Sequence, residues 1–274
     1  MYARQNLRKQ SMFVLVLALG FAAATVWCPQ ALAQLPTKFA NAAANAKVKN
    51  ILLVHGAWGD GSGFETVIPL LQAEGFNVVS VQIPLTSFAD DVATTQRALD
   101  LEDGPVLLVG HSYGGAVISQ VGTDPKVVGL VYLAALAPDI GESTSSLLGS
   151  VPPTPLFSQL SEDAYGFLKV STTGYLQDFA EGVPFVKAKV FAATQEPTSV
   201  TSLGGVATAA AWHSIPSWYL VTEGDRAVST DLQIFMAKRA NASMYEIPSC
   251  HLVMILHPDV VNAVITLAAM GIKL

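Results

Sequence analysis

The chain has 274 residues, of which 51% are hydrophobic and 13% are charged, and its formal net charge at pH 7 is −6. A chain of this length and apolar content can bury the core of a single domain. The acidic balance, without a cluster of Lys and Arg, argues against nucleic acid or an anionic membrane as a partner. The five histidines lie scattered, with no His or Cys pair at ligand spacing, so no metal site is predicted.

The N-terminus has the three parts of a secretory signal peptide. Basic residues come first, an apolar run follows over residues 12–26, and Ala31-Leu32-Ala33 has the small residues of a cleavage site. The run is shorter than the roughly 20 residues that span a bilayer, so we expect cleavage after Ala33 rather than a membrane anchor. Removing residues 1–33 takes away three of 15 basic residues and none of 21 acidic ones, which leaves a net charge of −9. The mature protein would be exported, to the periplasm or the medium, with Cys250 as its only cysteine and no internal disulfide.

We expect residues 34–47 to be a loosely ordered lead-in and residues 48–274 to form one domain. Apolar runs predict six strands, at residues 48–54, 77–83, 105–110, 127–136, 217–222 and 243–247. Apolar residues at helical spacing predict helices between them, at residues 64–74, 87–101, 114–121, 231–240 and 258–270. Continuously apolar strands that alternate with helices indicate a parallel sheet covered on both faces. The predicted fold class is therefore α/β, doubly wound.

One long segment, at about residues 138–216, interrupts the alternation. It carries seven spaced aromatic residues, namely Phe157, Tyr165, Phe167, Tyr175, Phe179, Phe185 and Phe191. Because so long a gap inside a compact domain is rarely a loop, we expect an inserted set of helices that caps the strand ends. Its aromatic residues either line a substrate pocket or only pack in the cap's own core. Phe157 and Trp58 are the candidate substrate contacts.

The third predicted strand runs directly into Gly110-His111-Ser112-Tyr113-Gly114, and a helix follows. Such a strand–turn–helix places a serine at the apex of a strained turn above the C-terminal edge of a parallel sheet. Glycines at positions 110 and 114 let the strand and the helix approach closely. The pentapeptide is common by chance, but the strand before it and the helix behind it indicate that Ser112 is a nucleophile.

A serine hydroxyl needs a neighbouring base to remove its proton, and the base needs an orienting carboxylate. In this architecture the three groups come in the chain order serine, acid, histidine, each on a loop after a strand. His251 follows the sixth predicted strand and is the predicted base. The other histidines precede the serine, precede the fifth strand or begin the last helix, and they are His55, His111, His213 and His257.

The acid is expected after the fifth predicted strand, where Glu223-Gly224-Asp225 follows Thr222. Asp225 is the predicted acid because a glycine before it suits a tight turn toward the histidine. Glu223 is the neighbouring alternative, and Asp139, after the fourth strand, is the topological one. Asp231 is predicted to supply the N-terminal charge of the next helix instead.

A tetrahedral intermediate also needs two donors for its oxyanion. The backbone N–H of Tyr113, directly after the nucleophile, is the first predicted donor. The second is expected from the glycine-rich loop after the first strand, with the Ala57 N–H preferred and that of Trp58 as the alternative. We expect Gly56 to let the backbone turn so that this N–H faces the pocket.

Together, these segments resemble the α/β-hydrolase superfamily. The resemblance rests on residues 55–58, 110–115, 222–225 and 249–251, covers most of residues 48–272, and is greatest to the small single-domain branch. That branch holds plant methyl esterases, hydroxynitrile lyases and bacterial esterase relatives. The resemblance implies the same site, with Ser112 as nucleophile, His251 as base, Asp225 as acid, and Ala57 and Tyr113 as oxyanion donors.

The sequence therefore predicts a serine hydrolase, a carboxylesterase acting on small or medium esters without a cofactor or metal. The lyases of the branch place a threonine after the first-loop histidine and a lysine after the catalytic histidine. Gly56 and Leu252 occupy those positions here, which disfavours cyanide release. A lyase-like or other non-hydrolytic reaction, and a ligand-binding protein without activity, remain the alternatives.

Overall fold

A computed structural model describes residue 44 and residues 46–273. The predicted signal peptide and almost all of the predicted lead-in lie outside these residues. The strands, in chain order, are β1 (Asn50–Val54), β2 (Asn77–Val81), β3 (Val106–His111), β4 (Val127–Leu133), β5 (Leu160–Glu162), β6 (Phe167–Val170), β7 (Thr198–Ser199), β8 (Ser217–Thr222) and β9 (Ser243–Ile247). The helices are α1 (Ile68–Ala73), α2 (Phe88–Asp100), α3 (Gly114–Val121), α4 (Thr144–Gly149), α5 (Thr172–Gly174), α6 (Phe185–Thr194), α7 (Val200–Gly204), α8 (Thr230–Arg239), α9 (Val253–Leu256) and α10 (Pro258–Ala269).

Six strands form a parallel sheet in the order β2-β1-β3-β4-β8-β9, and helices flank it. Every residue of β1, β3 and β8 is buried, as expected for central strands that are covered on both faces. The predicted α/β class is therefore confirmed. Within the described part of the chain, no helix combines the length and apolar character needed to cross a bilayer.

Two element boundaries differ from the prediction for local reasons. The helix predicted over residues 64–74 is a 3₁₀ turn at Gly61–Phe64 followed by α1. Pro69 lies in the first turn of α1, where its missing N–H costs no helical hydrogen bond. The fourth strand ends at Leu133 instead of residue 136, because Ala134 has a left-handed φ of 46° and turns the chain.

The insertion contains short helices, as expected. It also contains an element that was not expected, a three-stranded antiparallel sheet of β5, β6 and β7. A tight turn joins β5 to β6, in which Asp163 Oδ1 accepts the N–H groups of Tyr165 and Phe167, and Gly166 has a φ of 81°. An Asp at the start of a turn and a glycine in the left-handed region are a hairpin signal that the aromatic spacing obscured.

The close approach predicted at residues 110 and 114 is confirmed. A Cβ on Gly110 would lie 2.7 Å from backbone atoms of Gly114 and Gly115. A Cβ on Gly114 would lie 2.3 Å from the carbonyl oxygen of Val54 and 2.6 Å from that of His55. These glycines let α3 begin against the ends of β1 and β3.

We expect Gly114→Ala to lower the free energy of unfolding by about 1–3 kcal/mol, because its methyl group would overlap backbone atoms that cannot move freely. Urea denaturation measures this loss. Gly149→Ala at the end of α4 is the matched control, since its Cβ would meet nothing within 4 Å. Equal stabilities of the two variants would contradict the steric role of Gly114.

Candidate active site

Ser112 occupies the turn between β3 and α3 in a strained conformation. Its φ is 53°, in the left-handed region that residues other than glycine rarely adopt. Backbone hydrogen bonds hold the turn in place. The Ser112 N–H donates to Leu133 O at 3.2 Å. The Ser112 carbonyl accepts from the N–H groups of Gly115 and Leu136, both at 3.0 Å. The sharp turn predicted from the sequence is thus present at this serine.

Gly56 packs directly against this turn. A Cβ at Gly56 would lie 2.6 Å from Ser112 Cβ and 3.1 Å from Ser112 Oγ. Its φ is outside the left-handed region, so the expectation that it is needed for a special backbone turn was wrong. The glycine is required because the serine side chain lies against it.

His251 and Asp225 form a buried pair. His251 Nδ1 lies 2.8 Å from Asp225 Oδ2, and both side chains are fully shielded from solvent. Since a carboxylate only accepts, Nδ1 carries the proton of this bond. His251 Nε2 is buried and has no hydrogen-bond partner in the described residues. An unpaired buried ring nitrogen is costly, so this atom is available to a hydroxyl or a ligand.

Further donors fix the Asp225 carboxylate in place. Oδ1 accepts the N–H groups of Ala227 at 2.8 Å and Val228 at 2.9 Å. Oδ2 accepts from Thr222 Oγ1 and Gln233 Nε2, both at 2.9 Å. Gln233 is completely buried and also bonds Thr222 N–H and the Val228 carbonyl, so it ties the end of β8 to α8. Sequence reasoning missed Gln233, and the only signal was an amide in an otherwise apolar helix face.

The alternative acids lie elsewhere. Asp139 Oδ1 pairs with Nε2 of His213 at 2.8 Å, with both side chains partly exposed. The Glu223 side chain is exposed, and Asp231 lies in the first turn of α8 as predicted. Among the candidate carboxylates, the structure therefore brings only Asp225 to His251.

Ser112 and His251 are linked through His111, the last residue of β3. His111 Nε2 lies 3.0 Å from the His251 carbonyl oxygen, and the two imidazole rings are 4.7 Å apart. Burial, together with the neighbouring His251, lowers the pKa of His111 well below its usual value. No hydrogen bond joins Ser112 Oγ to His251 Nε2 in the part of the chain that the structure describes.

His55 is a structural histidine. Its Nδ1 donates to Gly56 O at 2.9 Å, and its Nε2 accepts the N–H of Ile83 at 3.1 Å. Burial lowers its pKa, which favours the neutral ring that this pair of bonds requires. His55 therefore fixes the glycine-rich loop to the chain after β2.

The two predicted oxyanion donors remain free. The N–H groups of Ala57 and Tyr113 donate to no acceptor among the described residues. The N–H of the alternative, Trp58, is instead occupied by Thr198 Oγ1 at 3.0 Å. Of the two loop amides, only that of Ala57 is available to a ligand.

The Tyr113 side chain is anchored by a buried carboxylate. Its hydroxyl donates to Asp91 Oδ2 at 2.6 Å, and the Leu85 N–H donates to Asp91 Oδ1 at 2.7 Å. Burial raises the pKa of Asp91, and burial beside Asp91 raises the pKa of Tyr113 above its usual value. No local pattern in the sequence pairs residues 91 and 113, because α2 and the serine turn meet only in the folded chain.

Two cavities adjoin the site, and the loop residues Ala57 and Trp58 border both. The first is bordered by Ser112 and by Phe157, which is 39% exposed. The second is bordered by Tyr175 and Phe179 among other residues. Both residues named as substrate contacts, Trp58 and Phe157, therefore border the same cavity as the serine.

The aromatic residues of the insertion do not all take one of the two expected roles. Phe179 packs 5.0 Å from the His251 ring and 6.0 Å from the Trp58 ring, and the Tyr175 hydroxyl donates to Trp58 O at 3.2 Å. Tyr165 and Phe185 are instead 87% and 65% exposed. The insertion therefore covers the site with Tyr175 and Phe179, which sequence reasoning did not single out.

No group of three His, Cys, Asp or Glu side chains within the described ranges could hold a metal ion.

Comparison with known proteins identifies the family of the chain. The family model described as the alpha/beta hydrolase family matches residues 51–264. A curated alpha/beta hydrolase of Aspergillus novofumigatus is 29% identical over 245 residues, which are 80% of this chain and 96% of that protein. A carbendazim hydrolyzing esterase of a Nocardioides species is 34% identical over 126 residues, 40% of this chain and 51% of that protein.

Solved structures share the fold at lower identity. A pyrethroid hydrolase from Sphingobium faniae has a TM-score of 0.68 and 22% identity, over 81% of this chain and 98% of that one. A methylesterase from Arabidopsis has a TM-score of 0.63 and 19% identity, over 79% of this chain and 96% of that one. The predicted resemblance to plant methyl esterases and bacterial hydrolases is thus confirmed at the level of fold.

Proposed function

Because the chain belongs to the alpha/beta hydrolase family and has esterase-like relatives, we propose that it is a carboxylesterase that uses Ser112, His251 and Asp225. One observation carries the proposal. A buried histidine is bonded to a buried carboxylate, and its other nitrogen has no hydrogen-bond partner among the described residues. This is the arrangement that a histidine acting as a general base requires, and the strained serine lies in the adjoining turn.

In the proposed reaction, Ser112 Oγ attacks the ester carbonyl carbon and its proton passes to His251 Nε2. The carbonyl oxygen becomes an oxyanion, which accepts from the free N–H groups of Ala57 and Tyr113. Collapse of this intermediate breaks the bond to the alcohol oxygen, which takes the proton from Nε2. A water molecule then repeats both steps on the acyl-enzyme and releases the carboxylic acid.

Asp225 acts through His251 in this scheme. Its bond to Nδ1 fixes the tautomer that leaves Nε2 free, and it stabilises the imidazolium that forms when Nε2 takes the proton. For Ser112 Oγ to reach Nε2, its side chain rotates from Gly56, against which it packs. Catalytic hydrogen bonds commonly tighten only when substrate is bound.

The substrate is proposed to be a small or medium ester. The two cavities share Ala57 and Trp58 in their walls, so the two halves of an ester can lie on opposite sides of the reacting carbon. Leu252, which borders the second cavity, has no charge to offer a cyanide leaving group. Its burial beside His251 therefore favours ester hydrolysis over the lyase alternative.

We expect Ser112→Ala to reduce turnover of p-nitrophenyl butyrate by at least about 10³-fold, because the nucleophile is lost. A fluorophosphonate probe is expected to add one adduct per chain to the wild type and none to the variant, as intact mass measures. Ser158→Ala, at an exposed serine of the insertion, is the control and keeps both signals. Retained turnover in Ser112→Ala contradicts the proposal, and a wild type that is neither labelled nor active indicates a binding protein.

A second prediction concerns the acid. Asp225→Asn is expected to lower kcat by about 10⁴-fold, because an amide stabilises neither the required tautomer nor the imidazolium. Asp139→Asn, at the alternative acid that pairs with His213, is expected to keep kcat within about twofold. Steady-state kinetics of both variants decide the assignment, and the reverse pattern would assign the role to Asp139.

We also propose that the enzyme is exported and loses residues 1–33. The support is the order of basic residues, apolar run and Ala31-Leu32-Ala33 in the sequence. Expression of the full chain in a bacterial host is expected to yield an extracytoplasmic protein whose N-terminal residue is Gln34. N-terminal sequencing and cell fractionation measure this, and an uncleaved cytoplasmic product would contradict export.

A further inference from the structure

The cavity that Ser112 borders has an apolar wall with few polar groups. Leu136, Leu148, Leu156, Leu203 and Val228 supply much of the wall. The polar atoms of two other residues around it are already used, since Tyr113 OH donates to Asp91 and Trp58 Nε1 donates to Leu168 O at 3.0 Å. Two hydroxyl groups at this cavity then remain to be accounted for, those of Ser112 and Thr144.

Thr144 is the first residue of α4, and its hydroxyl is an unusual group for this position. The residue is only 3% exposed, and Oγ1 has no hydrogen-bond partner in residues 46–273. The serines around it are paired, because Ser143 Oγ accepts Ser146 N–H and Ser146 Oγ accepts Ser143 N–H. Leaving a buried hydroxyl unbonded costs free energy that a valine of the same shape would avoid. A bound molecule with a suitable oxygen would remove that cost.

The surroundings of His251 indicate which half of an ester lies beside Thr144. The departing alcohol must receive its proton from His251 Nε2, so it leaves on the histidine side. Phe179 and His111 pack on the His251 ring and Leu252 follows it in the chain, and all three border the second cavity. The alcohol portion is therefore placed in the second cavity, and the acyl portion in the cavity of Ser112 and Thr144.

On the basis of the proposed esterase activity, we propose that Thr144 is a specificity-determining residue that donates a hydrogen bond to an oxygen atom in the substrate's acyl chain. The preferred substrates are esters of carboxylic acids that are otherwise apolar and carry one ether, keto or hydroxyl oxygen. The apolar wall accounts for the hydrocarbon part of the acyl chain. Thr144 Oγ1 is enclosed, so in the proposal it turns into the cavity by rotation about the Cα–Cβ bond and binds the single oxygen. Thr144 takes no part in the bond-making steps.

The test uses p-nitrophenyl esters of unbranched acids with four to eight carbons. Each is paired with an analogue in which one chain methylene, at each position in turn, is replaced by an ether oxygen. Every rate is divided by the rate of hydroxide hydrolysis of the same ester, because an oxygen near the carbonyl activates it chemically. At one chain position we expect the wild type to prefer the oxygen analogue about tenfold in kcat/KM.

Thr144→Val is expected to reduce that preference to about onefold, mainly through KM. The preference is measured as a ratio within each variant, so a general change in activity does not alter it. Thr144→Ser keeps the hydroxyl and is expected to keep most of the preference. Circular dichroism and thermal unfolding confirm that both variants fold. A wild type without a preference at any position, or a preference that survives in Thr144→Val, overturns the role of Thr144. If the wild type hydrolyses none of the esters, the esterase proposal itself fails, so the two failures are distinguishable.

Discussion

The left-handed backbone at Ser112 is the constraint on which the site depends, because a serine holds this conformation only when its surroundings enforce it. Hydrogen bonds to the Ser112 carbonyl from Gly115 and Leu136 keep the turn closed. Gly114 allows α3 to begin against the carbonyl groups that end β1, and Gly56 allows the loop after β1 to lie on the serine itself. The same contacts therefore hold Ser112 in its strained conformation and bring the loop with the free Ala57 amide beside it.

A second constraint is that buried polar atoms need hydrogen-bond partners, and the Asp225–His251 pair illustrates it. Thr222, Gln233 and two backbone amides surround the carboxylate, so that it is fixed at the end of β8 without contact with solvent. His251 Nε2 and Thr144 Oγ1 are exceptions to the rule in the same region. The proposed reaction uses the first atom and the proposed acyl preference uses the second, so both exceptions have a chemical reason.

Trp58 joins the loop after β1 to the insertion. Its N–H is bonded to Thr198, its indole N–H to Leu168, and its carbonyl to Tyr175. These bonds tie the loop to the insertion, and Trp58 borders both cavities. They occupy the Trp58 amide and leave that of Ala57 free, so the proposed reaction uses the Ala57 amide as the loop donor for the oxyanion.

The sequence alone determined the α/β class, the strands at 217–222 and 243–247, and the places of Ser112 and His251 after predicted strands, because these follow from local patterns and from chain order. For the carboxylate it left Asp225, Glu223 and Asp139 open. Only the tertiary structure separated Asp225 from Asp139, since both follow strands and only distance distinguishes them. The cap hairpin, the Asp91–Tyr113 bond, Gln233 and the unbonded Thr144 hydroxyl were likewise beyond the sequence. Each depends on contacts between segments far apart in the chain, which no local spacing records.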